Sequence, residues 1–109
     1  MEKPTDVKSG EDFQKEVIDY DAGPVVLDFW SHTCPHCTKL NPEFETAAGE
    51  LDGAVKFVKV AAQDHMDVFR EYGVRGTPTL VLFMDGKERA RIAGFKTAPE
   101  IVQWLQENT

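Results

Sequence analysis

A chain of 109 residues with 41% apolar and 28% charged side chains can close one hydrophobic core and is too mixed for a disordered or fibrous segment, so a single globular domain over residues 1–109 is expected. Its longest apolar runs, such as Val25–Leu27 and Leu80–Met84, fall far short of the roughly 20 residues that cross a bilayer, and residues 1–23 lack a basic start followed by an apolar stretch. Neither a membrane span nor an export signal is expected. A net charge of −7, from 12 Lys+Arg and 19 Asp+Glu, repels phosphate backbones and anionic lipid, which argues against nucleic-acid and membrane partners.

The first element is a short strand around Thr5–Lys8. Ser9, followed three residues later by Asp12, then resembles a helix cap, and Phe13, Val17 and Tyr20 recur at helical spacing until Gly23-Pro24. Most of the acidic residues of the first half are read as the solvated faces of this helix and the next. Val25–Trp30 has one polar member, Asp28, which predicts a strand buried on both faces of a sheet covered by helices. From Pro35, the residues Leu40, Phe44, Ala47 and Leu51 mark one face of a long helix, with a kink expected at Pro42 and an end at Asp52-Gly53.

Val55–Val60 predicts a second core strand, and Val68, Phe69 and Tyr72 a short helix before Gly73. Strand–helix alternation favours parallel pairing. Thr79–Met84 and Lys87–Ala93, separated by Asp85-Gly86, predict an antiparallel hairpin, so the sheet is mixed. Thr97 with Glu100 forms a capping box for a last helix whose apolar stripe is Ile101, Trp104 and Leu105.

The two cysteines, Cys34 and Cys37, would close a ring too small to remove much entropy from the unfolded chain, so their role is read as chemical. Cys34-Pro35-His36-Cys37 follows a buried strand and opens a helix. There the first sulfur meets unpaired backbone N–H groups and the positive end of the helix dipole, both of which favour thiolate. Cys34 is the expected nucleophile and Cys37, one turn on, the shielded resolving thiol. Pro35 fits the first helical position without losing a hydrogen bond. His36, if protonated, adds positive charge beside the attacking sulfur and stabilises the reduced pair. His32 and His65 are read as surface residues.

In this order, the strand Val25–Trp30, the C-x-x-C, Pro42 within the following helix, Gly76-Thr77-Pro78 and Gly94 make the chain resemble the thioredoxin family from about Val7 to Glu107. The resemblance implies an α/β thioredoxin fold, with a central mixed sheet flanked by helices on both faces, and thiol–disulfide exchange with protein disulfide substrates. It also implies a flavin-containing thioredoxin reductase as electron donor, a cytoplasmic location and a monomer.

Three further roles come with it. Asp28 is a carboxylate in an apolar strand, where ionisation is costly, and is a candidate proton acceptor for Cys37; the alternative is an Asp bonded to backbone. Lys59 would be its partner, or else an exposed strand lysine. Pro78 would follow a cis bond, with Thr77 pairing to an extended substrate segment. Trp30, Thr33, Gly76 and Gly94, with Phe95, would rim the docking surface, unless Trp30 is wholly core.

Two departures from the family pattern shape the expected activity. Thr33 stands where these proteins have tryptophan, and Pro35-His36 replaces Gly-Pro. The Pro-His dipeptide resembles bacterial periplasmic disulfide-forming oxidases, which carry a helical insertion for which this chain has no room. Couples of this class run from about −270 mV for thioredoxin to about −120 mV for the strong oxidants, and this one is expected in between. An oxidase or isomerase is the alternative within the same chemistry.

The chain carries no cofactor motif. His32, Cys34, His36 and Cys37 are borderline or soft ligands close in sequence, and zinc or copper handling is the alternative class. A helix start spreads such side chains apart, so no metal is expected. A redox-silent binding module would not explain two cysteines at this spacing.

Overall fold

The computed structural model describes residues 3–109. Its strands are β1 (Thr5–Asp6), β2 (Val25–Trp30), β3 (Lys56–Ala61), β4 (Thr79–Met84) and β5 (Lys87–Ala93), joined in the order β1-β3-β2-β4-β5. β1, β2 and β3 run parallel, whereas β4 pairs antiparallel with both β2 and β5. The helices are α1 (Gly10–Phe13, continued by a π-helical stretch Gln14–Ile18), α2 (Pro35–Glu50), α3 (Met66–Glu71) and α4 (Ala98–Asn108). This is the mixed, helix-flanked α/β sheet of the thioredoxin fold that the sequence predicts.

Strand β2 is central, and Val25 to Phe29 are all buried, which is why its residues do not alternate between apolar and polar. Alternate side chains instead serve two cores. Leu27 and Phe29 join Phe13, Val17, Val58 and Phe69 on the side of α1 and α3. Val26 joins Leu40, Phe44, Leu80, Ile101 and Leu105 on the side of α2 and α4. Asp28 lies between Val26 and Trp30 and so points to the α2 side.

The first helix departs from expectation. Its cap forms, with Asp12 N–H donating to Ser9 Oγ at 3.1 Å, but after Phe13 the bonding shifts to π spacing. Asp19 N–H donates to Gln14 O at 2.7 Å, and the Gln14 side chain reaches Asp19 Oδ1 at 2.9 Å. The helix ends at Ile18 rather than running on to Gly23-Pro24, yet Phe13 and Val17 remain in the core.

Asp85 and Gly86 have φ of 52° and 78°, the left-handed pair of a type I′ hairpin turn. A Cβ on Gly86 would lie 2.5 Å from the Ile18 carbonyl oxygen, so the turn is also held against the end of the π stretch. At the other end of the sheet, Trp30 stands beside Ala61 in register, and the chain leaves β2 there to start α2.

Candidate active site

Four residues separate the end of β2 from the first residue of α2, and they are tied in place. Thr33 N–H and Cys34 N–H donate to Ser31 Oγ and Ser31 O, each at 3.3 Å, and Ser31 Oγ shares a 3.1 Å hydrogen bond with Thr33 Oγ1. Gln63, just past β3, straps the turn from outside. Its amide nitrogen donates to Ser31 Oγ at 3.1 Å and its amide oxygen accepts His32 N–H at 3.2 Å. Ser31 and Gln63 escape sequence reasoning because the pair spans two loops, and neither residue type marks a site alone.

Cys34 occupies the N-cap of α2 in an extended conformation, with Pro35 following at the start of the helix. Its sulfur accepts the Cys37 N–H at 3.2 Å and donates to the Thr77 carbonyl oxygen at 3.4 Å. Burial resists charge on this half-buried sulfur. Hydrogen bonds with the Cys37 thiol, with the Thr77 side chain and with the backbone N–H groups of Cys37 and His36 outweigh that, and hold it below the ordinary thiol value. His36 is exposed and meets the sulfur through its backbone. Cys37 is only 1% exposed, and burial, reinforced by its hydrogen bond to Cys34, pushes its thiol up to about 11. One sulfur is poised to ionise and its neighbour to keep its proton.

Asp28 is fully buried, and neither carboxyl oxygen has a hydrogen-bond partner among the described residues. The backbone-bonded alternative is therefore not what forms. Burial pushes this carboxyl up to about 7, with the Lys59 charge opposing. Lys59 stands near Asp28 without hydrogen-bonding to it, and is not an exposed strand lysine. It is half-buried and register-paired with Asp28, but its ammonium donates to Asn41 Oδ1 at 2.9 Å and lies 4.6 Å from the centre of the Trp30 ring. Trp30 is partly exposed rather than wholly core, and His32 packs on it with 4.4 Å between ring centres.

The Thr77–Pro78 bond is cis. Pro78 O accepts the Gly94 N–H at 2.9 Å, and Gly76 O accepts the Thr79 hydroxyl at 2.7 Å. These bonds bring the Gly76–Pro78 loop and the end of β5 to the same edge of the molecule as Cys34, beside Phe95, which is 38% exposed. Thr33 is exposed on the same edge. A cavity of about 210 Å³ lies elsewhere, lined by Tyr20, Gly23, Val55 and Phe57 among others, and neither cysteine borders it.

The four nearby cysteines and histidines are not gathered as ligands. Among the described residues, no three His, Cys, Asp or Glu side chains are placed to hold one metal ion. His65, read from sequence as a surface residue, is buried and donates from Nε2 to the Val7 carbonyl oxygen at 2.9 Å. It fastens the segment after β1 to the start of α3.

The family model described as Thioredoxin matches residues 4–107. The chain is 32% identical over 96 residues to the thioredoxin of Rickettsia felis, covering 88% of this chain and 90% of that one. It is 33% identical over 96 residues to the thioredoxin of Pseudomonas aeruginosa, covering 88% of each. It is also 41% identical over 85 residues to protein disulfide-isomerase A3 of Gallus gallus, covering 78% of this chain and 17% of that longer protein. With a C-x-x-C pair opening α2 beside the central strand of this sheet, the chain belongs to the thioredoxin family, and is a thiol–disulfide oxidoreductase whose redox pair is Cys34 and Cys37.

Proposed function

We propose that the protein reduces disulfides in other proteins by two successive exchanges. The Cys34 thiolate attacks one sulfur of the substrate disulfide, forming a mixed disulfide and releasing the other substrate sulfur as a thiolate. Cys37 then gives its proton to Asp28 and attacks Cys34. The mixed bond breaks, the second substrate thiolate leaves, and a Cys34–Cys37 disulfide remains. Two electrons pass from the pair to the substrate.

The observation that carries this reading is the inequality of the two thiols. Cys34 is half-exposed and held below the ordinary thiol value, while Cys37 is sealed off at about 11. The second needs a base before it can attack, and Asp28, at about 7, is suited to accept a proton at neutral pH.

Pro35 fixes the turn between the sulfurs, and His36 supplies an N–H to the first of them. Lys59 tunes Asp28 through its charge. An extended substrate segment pairs with the backbone of Thr77 beside Pro78, and Trp30, Thr33, Gly76 and Gly94 border it. Protein disulfides are the substrates, a flavin-containing thioredoxin reductase restores the dithiol, and the protein works as a cytoplasmic monomer. The Pro-His pair makes the couple less reducing than an ordinary thioredoxin. A second reading, disulfide oxidase or isomerase, is favoured by that same dipeptide.

A coupled assay with NADPH and a thioredoxin reductase tests the proposal. Steady turnover of a disulfide protein supports the reductant. No turnover with a cognate reductase, together with oxidation of dithiol substrates, supports the oxidase. Trapping a mixed disulfide on Cys34 in Cys37→Ser tests the order of attack.

A further inference from the structure

Cys37 and Asn41 are one turn apart on α2 and share a face of that helix. The face lies over the sheet layer in which Asp28 of β2 and Lys59 of β3 are register partners, and register partners point to the same side. The layer is otherwise apolar, filled by Val26, Leu40, Phe44 and Leu80. A lysine stem is flexible, and a buried, unpartnered carboxylate is the strongest attraction available to an ammonium group in such a layer. The ammonium of Lys59 nevertheless lies elsewhere. It donates to Asn41 Oδ1 at 2.9 Å and rests 4.6 Å from the Trp30 ring centre, while both oxygens of Asp28 go without a hydrogen-bond partner among the described residues.

We propose that Asn41 is a positioning residue for Asp28: by holding the Lys59 ammonium on its amide oxygen, it keeps that cation off the buried carboxyl and leaves both carboxyl oxygens open to receive the Cys37 proton. This rests on the reading of Asp28 as the base for Cys37. A lysine in contact with Asp28 would stabilise the carboxylate as an ion and make it a poorer proton acceptor. A lysine held one bond away, at Asn41, still balances part of the charge once the proton arrives or leaves, without occupying the oxygens.

The groups facing Asp28 from the packed elements are few. On the side of the sheet to which Asp28 points, β3 places Lys59 in register with it, and α2 carries the buried Cys37. β4, β5 and α4 contribute Leu80, Ile92 and Ile101, none of which titrates. Glu43 of α2 is turned away, its carboxylate accepting the Ala98 N–H at 2.7 Å.

The test is a carboxyl-carbon NMR titration of Asp28 in the reduced, full-length protein, compared with Asn41→Leu, which keeps side-chain size and removes the acceptor. Freed from Asn41, Lys59 closes on Asp28, and the Asp28 midpoint falls by about one pH unit, a roughly tenfold rise in acid dissociation. In a Lys59→Met background the same Asn41→Leu change moves the midpoint by much less. An unchanged or raised midpoint in Asn41→Leu overturns the proposal, as does a fall of equal size in the Lys59→Met background. Should Asn41→Leu fold poorly, Asn41→Ala gives the same readout with the same signs. The underlying reading is tested separately, by release of a preformed mixed disulfide in Asp28→Asn. Undiminished release there removes the base role of Asp28, while the titration still decides whether Asn41 controls where Lys59 sits.

Discussion

The backbone N–H of Cys37 donates to the sulfur of Cys34 across 3.2 Å, so the residue whose thiol is hardest to ionise supplies a dipole that eases ionisation of its neighbour. The reactivity of the pair should be correspondingly lopsided. At pH 7 a thiol at about 11 is ionised to only about one part in ten thousand. Iodoacetamide at neutral pH should therefore modify Cys34 at least about a hundredfold faster than Cys37. Peptide mapping by mass spectrometry at timed quenches reads the ratio, and equal rates would contradict the arrangement.

Asp28 makes folding stability depend on pH. Its value rises from 3.8 to about 7 on folding, so the folded state binds this proton more tightly than the unfolded chain does. The cost is absent below about pH 4, grows as pH rises through the window, and is complete above about 7, where it reaches about 4 kcal/mol. Asp28→Asn removes the titrating group. The stability of this variant relative to the parent should climb by a few kcal/mol between pH 4 and pH 8 in urea titrations. A difference independent of pH would show that burial leaves the carboxyl unshifted.

The dipeptide between the cysteines should set part of the potential. Redox titration against glutathione should place the couple above about −270 mV and below about −120 mV. Exchanging Pro35-His36 for Gly-Pro should move it at least about 30 mV toward the lower figure, which corresponds to about 1.4 kcal/mol for two electrons. A parent value at or below −270 mV would refute the expectation drawn from Pro35 and His36.

Gly86 should tolerate no side chain. With φ of 78° and the Ile18 carbonyl oxygen 2.5 Å from where a Cβ would stand, Gly86→Ala combines backbone strain with a backbone clash, and should cost about 1–3 kcal/mol. Gly10→Ala, at the first residue of α1 with nothing within 4 Å, should be neutral or mildly stabilising. Paired denaturant curves compare them.

Much of this molecule is local enough to read from its sequence. Val25–Trp30, Thr79–Met84 and Lys87–Ala93 are strands over the residues expected, because the first two are mainly apolar and an Asp-Gly turn joins the last two, which leaves few alternatives. The cap at Thr97 forms with Glu100 as its spacing implies. The π stretch was not legible, since Phe13 and Val17 can be buried by either helical spacing. The partners of the site residues were not legible either. Lys59 is held by Asn41, 18 positions away, Ser31 by Gln63, 32 away, and His65 by Val7, 58 away. Such pairs exist only once β2, β3 and the helices have packed, and no local pattern of the chain encodes them.

Helix α2 has no acidic residue in its first turn, so Cys34 is the group at its cap that can carry negative charge. Reducing the pair restores there a thiol whose ionised form the positive end of this helix favours, and oxidising it takes that group away. Electrochemistry and thermal resistance are thereby joined in one thermodynamic cycle: whatever the amide dipoles contribute to the thiolate must reappear as a difference in melting between the two redox forms. A calorimeter, comparing them side by side, would measure the same quantity as an electrode.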